Sequence, residues 1–317
     1  MPMMRAIVIS KQGGPEVLEL KDVEIPSPGS GQIRVKVVAT SVNPIDYKLR
    51  AGIARYPLKL PAILGGDVSG VVDAVGHGVH DFKVGDAVFY NCNFLTGGGS
   101  YAEYQVTPTN IVVLKPDILS HEEAASIPLA GGTAWEAILL RMNVRLTETV
   151  LIHAGAGGVG SMAVQIAKAA GARVIATCRK ENDAFVKTLG AWATIDYRAG
   201  DFVQAVKELT GGIGVDAAFD TVGGDTLSRS LDALKAGGRA ASIVSSTGPM
   251  DKAYMKNAAL HFISASQSRA KMIGLKAMLE QGTLRPVIGT VMKLTEVAEA
   301  HRSLEAGGAN GKIVLTV

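Results

Sequence analysis

The sequence predicts an α/β protein of two domains, in which a β-barrel-type domain is interrupted by a doubly wound parallel sheet. Three observations predict this architecture. The chain of 317 residues is long enough to build two domains with separate cores. Short β-like runs crowd the first part of the chain, and strands then alternate with helical segments. A last strand-like run follows the final helical segment, so we expect the chain to return to the first domain.

The first region has the alternation that is typical of antiparallel strands. Turn signals separate the runs, among them Gly13-Gly14-Pro15, Pro28-Gly29 and Val84-Gly85-Asp86. The predicted strands cover 5–10, 17–23, 32–40, 70–75, 87–90 and 101–106. This spacing favours an antiparallel, barrel-like domain.

The second region begins near a capping box, in which Ser120 is followed three residues later by Glu123. Predicted strands then alternate with helices, which indicates βαβ units and a parallel sheet. These strands cover 149–153, 173–177, 194–196, 215–220 and 240–245. A helix over 295–305 and a strand over 312–317 close the chain. The predicted domain limits are therefore 1–123 with 287–317, and 124–286 for the insertion.

Composition excludes several classes of protein. The net charge is +3 and the basic residues are dispersed, so no nucleic acid partner is expected. No apolar run is long enough to span a membrane, and because the first residues run directly into a strand pattern we expect no targeting segment. The two cysteines, Cys92 and Cys178, form neither a disulfide framework nor a CxxC pair. We expect a cytoplasmic protein.

The most informative motif is a glycine-rich loop after the strand at 149–153. Gly155, Gly157 and Gly160 form a GxGxxG pattern that also includes Gly158 and Val159. Apolar residues of the following segment recur on one helical face. Glycines in this context allow a tight turn, a close approach of the backbone to a diphosphate and close helix packing. The pattern predicts a dinucleotide site, with the diphosphate at the helix N-terminus.

The end of the next strand indicates which dinucleotide binds. An NAD enzyme commonly places an acidic residue there to bind the ribose 2′-hydroxyl, whereas a 2′-phosphate needs cationic partners. Thr177, Arg179 and Lys180 lie at this place and are predicted to bind the cofactor, and the two cations favour NADPH. Glu181 follows closely and leaves NADH as an alternative.

At this point the chain resembles the quinone oxidoreductase branch of the medium-chain dehydrogenase/reductase superfamily, which includes ζ-crystallin-like proteins and alkenal/enone reductases. The resemblance extends over nearly the whole chain. Its landmarks, besides the glycine-rich loop, are SVNPIDYK at 41–48, GGDVSGVV at 65–72, FKVGD at 82–86, GSYAEY at 99–104 and IPLAGGTAW at 127–135.

The resemblance implies a GroES-like catalytic domain with an inserted Rossmann domain, the nicotinamide in the cleft between them, and a homodimer. It also implies further cofactor-binding residues. Tyr197 would lie at the 2′-phosphate beside Arg179 and Lys180. The residues that the resemblance places near the nicotinamide or the cleft are Thr133, Val222, Ile243, Phe262, Ser264 and Lys312. The segment 262–266 lacks the proline that is often found there in the family.

No catalytic zinc is expected. Alcohol dehydrogenases of the superfamily hold zinc with a cysteine in the first landmark and a His-Glu pair in the second, where this chain has Asn43 and Gly66-Asp67. A catalytic zinc needs about three ligands of the cysteine, histidine or carboxylate type. His77, His80 and Asp81 have a spacing that could hold a metal, although a polar hairpin explains them more simply.

Without a Lewis acid, the substrate is expected to be an intrinsically good hydride acceptor, such as a quinone or an enone. Asn43, Lys48 and Tyr47 are the candidate catalytic residues, because an ammonium or amide group can stabilise a developing enolate. Alternatively, Asn43 and Asp46 only fix the turn after a strand.

Two other functions stay open. One is a zinc-free, NADPH-dependent alcohol or ketone oxidoreductase, and the other is a non-catalytic NADPH-binding protein similar to ζ-crystallin.

Overall fold

The computed structural model describes residues 2–264, 266–307 and 310–317. The chain forms two compact units. Unit 1 consists of Met1–Leu129, Gln267–Glu280 and Arg285–Val317, and unit 2 consists of Ala130–Ser266 and Gln281–Leu284. Ala265, which belongs to the predicted segment 262–266, lies outside the described residues.

The strands of the described residues are numbered in chain order. They are β1 Met3–Ile9, β2 Glu19–Glu24, β3 Gln32–Val42, β4 Ala62–Ile63, β5 Asp67–Val75, β6 Ala87–Asn91, β7 Tyr104–Pro108, β8 Val113–Leu114, β9 Thr149–Ile152, β10 Arg173–Cys178, β11 Ala193–Asp196, β12 Val215–Asp220, β13 Leu234–Ser242, β14 Ala259–Phe262, β15 Ile288–Lys293 and β16 Lys312–Thr316.

The α-helices are α1 Pro44–Arg50, α2 His121–Ala125, α3 Pro128–Trp135, α4 Gly158–Ala169, α5 Asp183–Thr188, α6 Phe202–Leu209, α7 Thr226–Ala233, α8 Asp251–Met255, α9 Arg269–Glu280 and α10 Val297–Glu305. A π-helical segment, Glu136–Arg141, continues α3. Short 3₁₀ turns lie at Pro15–Val17, Phe94–Thr96, Thr109–Ile111, Lys180–Asn182 and Leu294–Glu296. In the part of the chain that the structure describes, no helix is long and apolar enough to cross a membrane.

Unit 1 contains two sheets of mainly antiparallel strands. The larger has the order β15-β16-β3-β5-β6-β8, with β7 also paired to β3, and the smaller has the order β2-β1-β4. The last strand, β16, pairs antiparallel with β3, so that Ile313 lies opposite Val42. The last strand of the chain therefore lies in the same sheet as β3.

Helix α9 belongs to unit 1, although the predicted limits assign residues 124–286 to the insertion. The physical reason lies in its polar contacts. Arg269 forms an ion pair with Asp81 at 2.8 Å, and Lys276 Nζ donates to the carbonyl of Leu114 at 3.2 Å. A segment that follows the sixth strand of the parallel sheet thus packs on the first unit, and sequence periodicity alone does not indicate which unit a helix packs against.

Unit 2 is built around a parallel sheet with the order β11-β10-β9-β12-β13-β14. This order corresponds to 3-2-1-4-5-6 in chain order and confirms the predicted Rossmann fold. The predicted strand 240–245 is displaced, because β13 covers 234–242 and the chain has left the sheet at Ile243. Strand β14, a run of four residues, is too short for its apolar pattern to have been recognised.

Candidate functional site

The glycine-rich loop of unit 2 connects β9 to α4. A Cβ atom on Gly160 would lie 2.1 Å from the carbonyl oxygen of Ala154, and one on Gly155 would lie 2.9 Å from Cβ of Ala176. Both distances exclude a side chain unless the backbone moves. Helix α4 begins at Gly158, directly after Gly157. The loop therefore has the close backbone packing that the sequence predicts for a diphosphate site.

Thr177 at the end of β10 holds this loop at two points. Its hydroxyl oxygen accepts a hydrogen bond from the backbone N–H of Ala154 at 3.1 Å. Its carbonyl oxygen accepts one from the backbone N–H of Gly155 at 2.9 Å. The predicted cofactor residue Thr177 is thus 2% exposed, and its side chain contacts the backbone at the start of the loop.

The predicted cofactor residues of unit 2, apart from Thr133, lie where parallel strands end. Gly155 and its loop follow β9, Arg179 follows β10 and Tyr197 follows β11. Val222 and Ile243 follow β12 and β13, and Phe262 ends β14 with Ser264 two residues beyond it. Carboxyl ends of parallel strands share one edge of a sheet, which is where ligands of this fold bind. Thr133 is instead buried within α3.

A cationic group of side chains lies beyond β10 and β11. Arg179 Nε donates to the hydroxyl oxygen of Tyr197 at 3.4 Å, and the guanidinium of Arg198 lies 6.0 Å from the centre of the Tyr197 ring. Glu181 is 3.9 Å from Arg198 and partly offsets the positive charge. Lys180 is exposed. The structure thus brings Arg179 and Tyr197 together at the place predicted for a 2′-phosphate.

Sequence reasoning missed Asp220, the last residue of β12. Its carboxylate accepts hydrogen bonds from the backbone N–H groups of Val222 and Gly223, each at 2.9 Å, and from the hydroxyl of Ser242 at 2.8 Å. Asp220 thereby fixes the chain that follows β12 and ties it to β13. A single acidic residue at a strand end gives no sequence signal for this arrangement.

In unit 1, Asn43, Asp67 and Lys312 form a buried group that we call the Asp67 cluster. Asp67 is fully buried and Lys312 is 4% exposed. Asp67 accepts hydrogen bonds from Asn43 Nδ2 at 2.7 Å, from Ser41 Oγ at 2.5 Å and from the backbone N–H of Leu129 at 2.7 Å. Lys312 Nζ lies 3.4 Å from the same carboxylate and donates also to Asn43 Oδ1.

The Asp67 cluster changes how two predicted site residues are understood. Both ends of the Asn43 amide have partners within the protein, and the side chain is 2% exposed. The ammonium of Lys312, predicted at the cofactor, donates to groups of unit 1, including the carbonyl of Val42 at 3.1 Å. Tyr47 and Lys48 lie half-buried on α1. The backbone N–H of Asn43 donates to Asp46 Oδ2 at 2.8 Å, which supports the turn-fixing interpretation of this pair.

A second buried chain of hydrogen bonds leads from Asp46 to the surface. Tyr101 donates to Asp46 Oδ2 at 2.9 Å, and His301 Nε2 lies 3.3 Å from the Tyr101 hydroxyl. Arg50 lies 3.3 Å from His301 Nδ1 and forms an ion pair with Glu305 at 2.6 Å. The guanidinium can only donate, so Nδ1 accepts and Nε2 carries the proton. No local sequence pattern links His301 to Tyr101 or Arg50, which lie 200 and 251 positions away, so the sequence gives no signal for its place in this chain.

Burial shifts the pKa values of this second chain in opposite directions. It raises the pKa of Asp46 to about 7, against the hydrogen bonds from Asn43 and Tyr101 and the attraction of Lys312. It lowers the pKa of His301 to about 3, and the nearby charge of Arg50 acts in the same direction. Among the described residues, Asp46 Oδ1 has no hydrogen-bond partner. The Tyr101 hydroxyl thus joins a neutral His301 to the Asp46 carboxyl group, whose pKa is about 7.

Two family models match the chain. The alcohol dehydrogenase GroES-like domain matches residues 29–117, and the zinc-binding dehydrogenase family matches residues 189–315. A pig quinone oxidoreductase is 37% identical over 325 aligned residues, which cover 99% of this chain and 98% of the pig protein.

Solved structures are similar over the whole chain. One, described as an NAD-dependent alcohol dehydrogenase, is 38% identical with a TM-score of 0.92 and covers 99% of this chain and 100% of its own. Another is a mycobacterial protein solved in complex with NADPH, at 33% identity and a TM-score of 0.91, with the same coverage of both chains. These neighbours share the fold and differ in the dinucleotide that their descriptions name.

The name of the zinc-binding dehydrogenase family implies a catalytic zinc. The side chains at positions 43, 66 and 67, where related alcohol dehydrogenases are expected to bind it, do not fit a zinc ion. Asn43 supplies an amide, position 66 is a glycine, and the Asp67 carboxylate lies beside the Lys312 ammonium. Burial and the neighbouring carboxylates raise the pKa of the Cys92 thiol far above its usual range, which opposes thiolate formation. Within 2–264, 266–307 and 310–317, no group of three or more His, Cys, Asp or Glu side chains could hold a metal.

Proposed function

Because the chain belongs to the quinone oxidoreductase family of the medium-chain dehydrogenase/reductases, we propose that it is an NADPH-dependent, zinc-independent reductase of quinones or α,β-unsaturated carbonyl compounds. It is an oxidoreductase of a family that binds nicotinamide dinucleotides and acts on small molecules. When bound, NADPH would supply the hydride. The observation that carries the proposal is the hydrogen bond between Arg179 and Tyr197 at the strand ends beside the glycine-rich loop.

The choice of NADPH rests on the charge at the ends of β10 and β11. Arg179 offers a planar guanidinium that can bind a phosphate with two hydrogen bonds, and Lys180 adds a second positive charge. Glu181 faces Arg198 at 3.9 Å, so its carboxylate is engaged by a cation. An acidic residue that is free to bind the ribose 2′-hydroxyl would favour NADH instead.

The proposed class of acceptor is based on the Asp67 cluster. Where a related zinc enzyme would hold its metal ion, the positive charge of this chain is the ammonium of Lys312, which is enclosed by Asn43, Asp67 and the carbonyl of Val42. An enclosed ammonium cannot coordinate and polarise a carbonyl oxygen in the way that a zinc ion with an open position does. Quinones and enones need less help, because the negative charge left by hydride addition is delocalised onto oxygen.

Two side chains of α1, Lys48 and Tyr47, are proposed to lie at the acceptor, and a third, Asn43, is proposed to position them. Lys48 is half-buried, and no ion pair or hydrogen bond of its ammonium is found among the described residues. We propose that it stabilises the enolate, with Tyr47 on the preceding position of the helix. Asn43 would contribute by fixing the start of α1 through its bonds to Asp46 and Asp67, and solvent would supply the proton.

The substitution Lys48→Ala tests this assignment. We expect kcat/KM for an enone with NADPH to fall roughly 10²-fold, as is typical when a donor to a developing oxyanion is removed. Lys11→Ala, on the exposed surface of unit 1, is the matched control. Unchanged turnover in Lys48→Ala would remove this residue from the mechanism.

A panel of quinones, enals, enones and saturated ketones, each with NADPH and with NADH, tests the activity itself. Oxidation of NADPH by quinones or enones supports the proposal, whereas turnover of saturated ketones favours the alcohol or ketone oxidoreductase. Binding of NADPH without oxidation by any acceptor favours the non-catalytic protein.

The substitution Arg179→Ala tests the choice of cofactor. It should lower kcat/KM with NADPH and leave the NADH reaction nearly unchanged. The proposed homodimer is tested by light scattering.

A further inference from the structure

His153, the residue before the glycine-rich loop, is fully enclosed in unit 2. It is 2% exposed and packs edge-on against Phe202, with ring centres 4.7 Å apart. The structure gives both ring nitrogens partners, and one of these partners contacts the loop.

The hydrogen bonds determine the tautomer of His153. The Ser230 hydroxyl donates to the carbonyl of Thr226 at 2.7 Å, so its oxygen accepts from His153 Nε2–H at 2.9 Å. Nδ1 then carries a lone pair and accepts from the hydroxyl of Thr177 at 3.3 Å. The oxygen of that hydroxyl remains available to accept from the backbone N–H of Ala154 at 3.1 Å.

Ala154 needs this support because of its backbone conformation. Its φ angle is +51°, in the left-handed region that residues other than glycine rarely adopt. Its carbonyl oxygen accepts from the backbone N–H of Gly157 at 2.9 Å and lies against Gly160. The orientation of Ala154 therefore sets the path of the loop and the start of α4.

We propose that His153 is a positioning residue for the dinucleotide, which orients the Thr177 hydroxyl so that Thr177 holds Ala154 and the glycine-rich loop in the binding conformation. This inference rests on the proposed dinucleotide site. A neutral imidazole is required, since a proton on Nδ1 would replace the lone pair that Thr177 contacts. Burial favours the neutral form by lowering the pKa of His153 to about 4, against the attraction of Asp220.

A double-mutant cycle on cofactor affinity tests the proposal. The dissociation constant of NADPH is measured by fluorescence titration for the full chain and for His153→Phe, Thr177→Val and the double variant. Each single change should weaken binding about tenfold, and the double variant should be no weaker than either single one, because both changes break one chain of contacts. Thr177→Ser keeps the hydroxyl and should restore the affinity.

A KM-against-kcat comparison separates positioning from general damage. With saturating NADPH, kcat should stay within about twofold in the single variants, while KM for NADPH rises. His261→Phe, a half-buried histidine of the same unit, is the matched control. If His153→Phe does not fold, Ser230→Ala replaces it, because this change removes the acceptor of Nε2–H and should weaken binding in the same direction.

Three results would overturn the inference. They are an unchanged dissociation constant in folded His153→Phe and Thr177→Val, losses that add in the double variant, or equal affinities for Thr177→Ser and Thr177→Val. If the unaltered chain binds neither NADPH nor NADH, the proposed function fails and this inference fails with it. Binding that is insensitive to the variants overturns this inference alone.

Discussion

Two groups of buried polar side chains, one in each unit, are held by different means. In unit 1, the Asp67 cluster joins a buried carboxylate to a buried ammonium, whereas in unit 2 the chain from Ser230 to Ala154 consists of neutral groups. A buried charge that loses its partner is far more costly than a neutral group that loses one. Single substitutions in the Asp67 cluster are therefore expected to act mainly on stability, and those in the chain from Ser230 to Ala154 mainly on the geometry of the glycine-rich loop.

The largest effect is expected for Lys312→Met, which leaves the buried Asp67 carboxyl group without its cation. The free energy of unfolding should fall by roughly 3–5 kcal/mol, as for other broken buried pairs. Urea denaturation of the free protein measures it. The double variant Lys312→Met/Asp67→Asn should recover part of the loss, and Lys11→Met is the exposed control. A single variant as stable as the parent would show that Asp67 does not depend on this charge.

The next effect concerns Gly160, where a Cβ atom would lie 2.1 Å from the Ala154 carbonyl oxygen. Gly160→Ala should lower the free energy of unfolding by roughly 1–3 kcal/mol, in the range of overpacked sites. The affinity for NADPH should also fall, because the loop must move. Gly200→Ala, where a Cβ atom meets nothing within 4 Å, should do neither. The free energy of unfolding and the dissociation constant of NADPH are measured for both variants. If Gly160→Ala behaves like Gly200→Ala, the close approach of Gly160 to Ala154 is not required.

A third prediction uses pH to isolate Asp46. Its pKa is about 7 in the folded protein, against an ordinary value of 3.8 for an aspartate, so the folded state binds more protons between these values. The protonated carboxyl group of Asp46 stabilises the folded protein at low pH. This contribution is lost as the pH rises from about 3.8 to about 7. Relative to the parent, Asp46→Asn should therefore gain stability from pH 5 to pH 8.

Unfolding curves of both proteins over this pH range provide the measurement. His153 and His301 have lowered pKa values, so their effect on stability has the opposite dependence on pH. The stability that their neutral forms contribute to the folded protein is lost as the pH falls below about 6.5. Their contributions are common to both proteins and cancel in the difference. A difference that does not change with pH would contradict the assigned pKa of Asp46.

The smallest effect is expected for an exposed ion pair, Arg302 with Glu299 at 3.0 Å, in which both side chains are more than half exposed. Glu299→Ala should change the free energy of unfolding by less than about 0.5 kcal/mol, because water screens the pair. The N–O distance is shorter than that of the Lys312–Asp67 pair. A large loss here would mean that distance, and not burial, sets the effect.

The features that sequence predicts well are local. The strands around the glycine-rich loop and the capping box at Ser120 depend on residues a few positions apart, and the structure contains both. The pairing of Lys312 with Asp67 joins residues 245 positions apart, and that of Tyr101 with His301 spans 200. Such contacts depend on how strands and helices pack, which periodicity does not encode.

The predicted site residues also show that sequence motifs locate a residue along the chain but do not reveal its distant contacts. The motif and the family resemblance place Arg179, Tyr197 and Val222 at one edge of the sheet, and the strand order brings them there. The same reasoning assigns Lys312 to the cofactor from its closing motif, without access to the carbonyl and carboxylate groups that surround its ammonium. The role of Lys312 at the cofactor stays a prediction, and the contacts of its ammonium are those with Asn43, Asp67 and the carbonyl of Val42.

The position of β16 has a consequence for biosynthesis. This strand lies between β3 and β15 in the interior of its sheet, and it carries Lys312. Unit 1 therefore lacks an internal strand and the counterion of Asp67 until residues 312–316 have left the ribosome, while most of unit 2 is already available for folding. A nonsense mutation before codon 312 would leave a gap in the sheet, so a chain that lacks β16 should be degraded in the cell.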